Sequence, residues 1–228
     1  MIQKTIKIFG KPLTLSMRDD GDQAVANEVF RDREYSSCDE VIRGAKQAVI
    51  DVGGHAGFFS LYAAILNPKV PIYAFEPASE NYKLLKQNLK GNRIRNVTPK
   101  NQAVWKTVGE VELKLSAEGL NHSMVHAIET VNEVERVNAT TLEKIIQKNR
   151  LKRVDLLKMD CEGAEFDILF ATPQATFDKL STIYLEYHDW VPGGDHHKLK
   201  QHLENMGFKV RDFPNHKMRE LGFLWCTK

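Results

Sequence analysis

Along most of the chain, short β-branched apolar runs alternate with stripes of apolar residues at helical spacing. "QAVIDV" (residues 47–52) is a β-branched run ending in an acid and glycines, and "GFFSLYAAILN" (57–67) reads as a helix. "VPIYAFE" (70–76) is a second strand. Ser79 can cap the next helix, with Tyr82, Leu85 and Leu89 on one face. "NVTPKNQAVW" reads as a third strand, and "GEVELKLS" as a period-two strand with Val111, Leu113 and Leu115 on one side. "TTLEKIIQ" opens with a capping box, Thr140 with Glu143 three residues on. "VDLLKMD" and "STIYLEYH" are two buried strands separated by a helical stretch over 165–170. "HHKLKQHLENMGFKV" is helix, glycine stop and strand, and "LGFLWCTK", alternating Leu221, Phe223 and Trp225, is a closing strand.

This rhythm predicts an α/β fold, a mostly parallel sheet with helices on both faces. The first 47 residues break it. "TIKIFGKPLTLS" resembles a hairpin and 22–40 is helical or loop-like, so residues 1–47 form an N-terminal extension on a sheet domain of 48–228, placed to act as a lid.

Composition narrows the picture only a little. The 228 residues are 42% hydrophobic and 27% charged, with a net charge of +2, an ordinary globular profile without a basic field for nucleic acid. Three scattered cysteines (Cys38, Cys161, Cys226) make neither a disulfide framework nor a zinc motif, which favours a reducing, cytoplasmic setting. The N-terminus has no apolar core of a secretion signal, and no apolar stretch is long enough for a membrane span.

The chemistry concentrates at strand ends. In an open parallel sheet, ligands bind beyond the carboxyl ends of the strands. Asp51, Glu76, Asp160 and the pair Glu186 and His188 end four of the strands and converge on one crevice. Gly53, Gly54 and Gly57 in "DVGGHAGFF" permit a tight turn and close backbone approach to a ligand. Glu76, roughly 20 residues on, stands where an acid holds ribose hydroxyls. A nicotinamide fingerprint, GxGxxG, is interrupted by His55. Asp51 and Pro77 instead match the pattern for S-adenosylmethionine (SAM), which has no pyrophosphate for the acids to repel.

With these segments the sequence resembles a class I SAM-dependent methyltransferase of the FkbM family. The matching pieces are "VIDVGGHAGFFSL", "YAFEPASENYKLLKQNL", "NQAVW" before "GEVELKL", "TTLEKII", "VDLLKMDCEGAEFDIL" and "IYLEYH" followed by "GFKV". The resemblance implies a Rossmann-like seven-stranded sheet with an antiparallel final strand, and O-methylation of a hydroxyl on a small-molecule, sugar or lipid-type acceptor. Position by position, it implies that Gly53, Gly54, His55, Gly57 and Phe58 border the methionine part of SAM, with Asp51 behind them. Glu76 and Pro77 would hold the ribose, and Gln102 and Ala103 the adenine. Asp160, Glu162 and Gly163 would line the methionine end and the acceptor site, with Glu186 and His188 across from them. The family most often has Ala and Asn where this chain has Gly54 and His55.

A hydroxyl acceptor needs a base or a metal. His188 and Glu186 are the base candidates, and Asp160 and Glu162 position the acceptor, touch the SAM ammonium or bind Mg²⁺. Plainer readings stand beside these: Asp160 and Glu162 as helix caps, His55 as loop filler, Gly163 as a backbone necessity. His196 and His197 read as a solvated helix cap before a metal site. Cys161 between two acids is no nucleophile. Asn121, His122 and Ser123 sit in a polar loop of the kind that shapes substrate pockets, and Tyr35 can reach in from the extension. Two basic clusters, Lys83 to Arg95 and Lys148 to Arg153, lack interleaved aromatics, which disfavours nucleic acid. An RNA methyltransferase and a non-catalytic SAM- or nucleotide-binding module are the alternative functions.

Overall fold

The computed structural model describes residues 1–116 and 131–228. The chain opens with a hairpin, β1 (Ile2–Ile8) and β2 (Lys11–Met17). Its two-residue turn places Phe9 at φ 47° and Gly10 at φ 79°, the twist that suits a tight hairpin. Next come α1 (Asp20–Phe30), a 3-10 turn (Glu34–Cys38) and α2 (Asp39–Gly44). Then the alternation begins: β3 (Val49–Val52), α3 (Phe58–Leu66), β4 (Ile72–Phe75), α4 (Ser79–Gly91) and β5 (Val97–Lys100). The short β6 (Ala103–Val104), β7 (Gly109–Ser116) and β8 (Val131–Thr140) follow. The chain closes with α5 (Leu142–Lys148), β9 (Leu156–Met159), α6 (Ala164–Phe170), α7 (Gln174–Phe177), β10 (Thr182–His188), α8 (His196–Asn205), β11 (Lys209–Pro214) and β12 (Leu221–Thr227).

Seven strands form the main sheet in the order β11-β12-β10-β9-β3-β4-β5. All neighbours among β10, β9, β3, β4 and β5 are parallel, and β12 runs antiparallel between β10 and β11. The order reverses between β3 and β9, so the switch-point crevice opens at their carboxyl ends. Every residue of β3 and β9 is buried, as expected of parallel strands covered on both faces. One face packs against α1–α4 and the other against α5–α8. β12 serves both: Leu224 and Cys226 enter one core, while Phe223 and Trp225 pack against the other.

Three sequence expectations shift. "GEVELKLS" leaves the main sheet and pairs in a second sheet, β6-β8-β7. Pro99 in β5, which has no N–H to donate, is compatible with the sheet edge that β5 forms. The period-two pattern does mark a strand but does not say which sheet it joins. β8 has no such clean apolar alternation, so its sequence does not signal a strand. The helix after it is capped by Thr141, whose side chain accepts from the Lys144 N–H at 3.2 Å, because Thr140 still belongs to β8. Ser79 is the first residue of α4 rather than its cap, and the buried stripe is Asn81, Leu84, Leu85, Asn88 and Leu89.

The extension shares one apolar cluster with the sheet's helices: Leu13, Leu15, Met17, Phe30 and Ile42 pack with Leu61, Tyr62 and Leu85. Polar ties complete the join. Asn88 on α4 accepts from the Ser16 N–H at 2.8 Å and donates to the Ser16 and Ala56 carbonyls at 3.1 and 2.9 Å. Asn92 likewise bonds both backbone groups of Thr14.

Candidate functional site at the switch point

The floor of the site is the turn after β3. Gly53 lies at φ 77°, and a Cβ there would sit 1.7 Å from the Asp160 carbonyl oxygen, so only glycine lets β3 and β9 end this close. The Gly53 and Gly54 N–H groups donate to the Phe75 carbonyl, tying the turn to β4. His55, at φ 44°, donates its N–H to Glu76 Oε2 at 2.8 Å. Its Nε2 lies 3.4 Å from Asp22 of α1, whose carboxylate also grips Arg18 at 2.7 and 2.9 Å. His55 is therefore the link between extension and turn, more than loop filler.

A crevice of about 440 Å³ opens above this floor. Gly53, His55, Glu76, Pro77, Ala103, Asp160, Glu162, Glu186, His188 and Tyr35 all border it. Asp51, Gly54, Gly57 and Phe58 do not: Asp51 is enclosed behind the turn, Gly54 and Gly57 pack on Leu85, and Phe58 is in the core. Gly163 faces Val191, where a Cβ would meet a methyl at 2.2 Å. Gln102 borders a separate pocket with Lys100 and Lys144. Asn121, His122 and Ser123 lie outside the described residues.

Acids dominate the crevice. Glu28 and Glu34 come from the extension, and Asp160, Glu162 and Glu186 from the strand ends. Burial, reinforced by neighbouring carboxylates, pushes Glu34 up to about 7 and Glu186 up to about 9. Burial raises Glu162 to about 8 against the pull of His188, and raises Glu76 to about 7 despite the N–H groups of His55 and Ala78. Asp160 makes no capping bond to α6; instead its Oδ2 lies 3.8 Å from Lys158 Nζ. Glu162 adopts φ 54°, a strained conformation for a non-glycine residue, which turns the chain sharply before Gly163.

Two cations sit under this ring, and sequence reading missed one of them. Lys158 is buried on β9; its Nζ donates to the Gly53 carbonyl at 2.9 Å and lies 3.4 Å from Asp51. Burial would lower its pKa, but Asp51 and Asp160 together hold it raised. The lysine faces back toward the turn, a role its place in "LLKMD" does not disclose. His188 is buried between two carboxylates: Nδ1 is 2.6 Å from Glu165 and Nε2 is 3.6 Å from Glu162. Burial opposes its charge, yet these acids raise it to about 10, so the imidazole keeps its proton at neutral pH. Glu165, fully enclosed, also accepts the Gly163 N–H at 3.1 Å and so orients both the turn and the imidazole.

Comparison with known proteins extends this geometry. The chain is 26% identical over 181 residues to Methyltransferase 1 of Beauveria bassiana (strain ARSEF 2860), covering 71% of this chain and 72% of that protein. It is 24% identical over 197 residues to the 31-O-demethyl-FK506 methyltransferase FkbM of Streptomyces tacrolimicus, covering 73% and 75%. The solved methyltransferase FkbM from Methylobacillus flagellatus KT superposes with a TM-score of 0.56 at 15% identity, over 79% of this chain and 43% of that one, which speaks to the fold alone. Residues 51–210 match the methyltransferase FkbM domain. That match begins at the acid behind the glycine turn and runs through β4, β9 and β10, whose ends supply Glu76, Asp160 and Glu186 to the crevice; the chain belongs to the FkbM methyltransferase family.

Proposed function

We propose that this protein transfers the methyl group of SAM to a hydroxyl of a small-molecule, sugar or lipid-type acceptor. The observation that carries the reading is the charge of the crevice. Burial, reinforced by neighbouring carboxylates, raises the pKa of several carboxyls there, and among the described residues Lys158 and His188 are cations that offset them. A cationic ligand relieves that field, whereas a dinucleotide would add two phosphates to it. SAM, when bound, supplies a methyl group already activated by its sulfonium. Glu76 holds ribose hydroxyls, and Pro77 and Ala103 wall the base. The Gly53 turn and Asp160 take the amino-acid end. Tyr35, held edge-on by Phe59 at 4.9 Å, faces the acceptor side.

The same charges assign the proton. His188 is already protonated in the ligand-free protein, so it is a positioning cation rather than the base. Glu186 is neutral there, and a cation beside it draws its pKa down, freeing a carboxylate to take the acceptor's proton. An Asp160, Glu186 and His188 set could also hold an ion. Mg²⁺ prefers all-oxygen octahedral shells, and this set contains an imidazole already engaged by Glu165, so it suits Mg²⁺ poorly.

Calorimetric titration with SAM and S-adenosylhomocysteine tests the first half; no binding of either overturns the reading. Labelled SAM incubated with metabolite fractions, with and without chelator, tests the second. Label in a base-stable methyl ether of the acceptor supports it, and label on an amine or in a base-labile methyl ester overturns the assignment to a hydroxyl. Binding should release protons and tighten as pH rises from 7 to 9, since the ligand favours the ionised carboxyls.

A further inference from the structure

Away from the crevice, the start of α8 meets the edge strand β11. His196 is buried there and tied to Asp189 at two points. Its Nδ1 lies 2.5 Å from Asp189 Oδ2, and its backbone N–H donates to Asp189 Oδ1 at 2.8 Å. The ring lies flat on Tyr187, with centroids 4.1 Å apart and planes at 9°. With Nδ1 donating to Asp189, Nε2 points at Asp212 Oδ2, 3.4 Å away. Nε2 and Oδ2 thus face a shared space at the spacing of two ligands of one cation. His197 brings a third donor to the same point: one ligand atom each of His196, His197 and Asp212 lies within 4.8 Å of the others.

We propose that His196, His197 and Asp212 bind a divalent transition-metal ion of the zinc class, independently of the methyl-transfer reading. The 3.4 Å gap between Nε2 and Oδ2 matches the edge of a tetrahedron with bonds of about 2.0–2.1 Å. Two imidazoles and one carboxylate select Zn²⁺, Co²⁺ or Ni²⁺ over Mg²⁺ or Ca²⁺. Asp189 is the outer partner that fixes the tautomer of a metal-bound histidine. The ion has a structural task. Asp189 also donates its N–H to the Glu220 carbonyl at 2.8 Å, and the turn it starts carries Trp190, which borders the crevice. Beyond β11, Asn215 and Met218 border the same wall. An ion here pins α8, that turn and β11 together behind one side of the crevice.

The test is titration of chelator-treated full-length protein with Zn²⁺ by calorimetry and with Co²⁺ by visible absorption. The expected result is about one equivalent bound, an intense tetrahedral Co²⁺ spectrum, and a melting temperature raised by roughly 5 °C at saturating Zn²⁺. His197→Ala, at an exposed position, should weaken Zn²⁺ binding at least tenfold, and Asp189→Asn by about ten- to hundredfold, while Glu186→Gln leaves it unchanged. The proposal is overturned if the wild-type protein binds neither ion, if His197→Ala binds as tightly as wild type, or if Glu186→Gln is the variant that loses the ion.

Discussion

Lys158 shows how much rests on one side chain. It is buried, bonded to the Gly53 carbonyl and set between Asp51 and Asp160. Lys158→Met fills similar volume but leaves Asp51 buried with, among the described residues, the Ser60 hydroxyl as its hydrogen-bond donor. Urea unfolding should show a loss of about 3–5 kcal/mol, the usual cost of stranding one partner of a buried pair. Asp51→Asn together with Lys158→Met should recover part of it. Glu76→Gln separates charge from shape at the other end of the crevice: it keeps an acceptor oxygen but removes the carboxylate. SAM affinity should fall at least tenfold and lose much of its pH dependence, read by calorimetry from pH 6 to 8. Strand-end acids such as Glu76 were legible from their position after apolar runs. Lys158 was not, because a lysine inside a buried strand becomes intelligible only when Asp51 is seen beside it on β3.

Asn88 operates at the scale of elements. It lies on the buried stripe of α4 and satisfies Ser16 of β2 and the Ala56 carbonyl of the glycine turn together. Asn88→Ala should cost about 2–3 kcal/mol through unmet backbone groups. Hydrogen exchange should quicken in β2 and the turn before β9 or β10, and that order is the discriminating readout. Elements with strong periodicity, such as β3, α3, β9 and α8, read directly from the chain. β8 did not, since its pattern lacks a continuous apolar face, and β7 was recognised as a strand without its sheet.

At the scale of the whole molecule, the acids of the crevice and His188 act in one direction on stability. Glu34, Glu162 and Glu186 have folded pKa values of about 7, 8 and 9 against an ordinary 4.5, so the folded state binds more protons than the unfolded chain above pH 4.5. His188, raised from 6.5 to about 10, adds to this above pH 6.5. The stabilisation is present in full at low pH within this range and is lost as pH rises through the folded values. The melting temperature of the ligand-free protein should therefore fall between pH 5 and 9, and Glu186→Gln should flatten the fall. A melting temperature that rises over that interval would contradict the charge assignment. Local pattern was enough for the alternation of elements, the glycine turn, the acids at the strand ends and the family resemblance, because each depends on residues near one another in sequence. Long-range pairing alone decided the rest. It set Lys158 under the turn, closed Glu165 behind His188, merged the first 47 residues into the core, and carried Asp212 to His196, since contact between distant segments is a property of packing rather than of pattern.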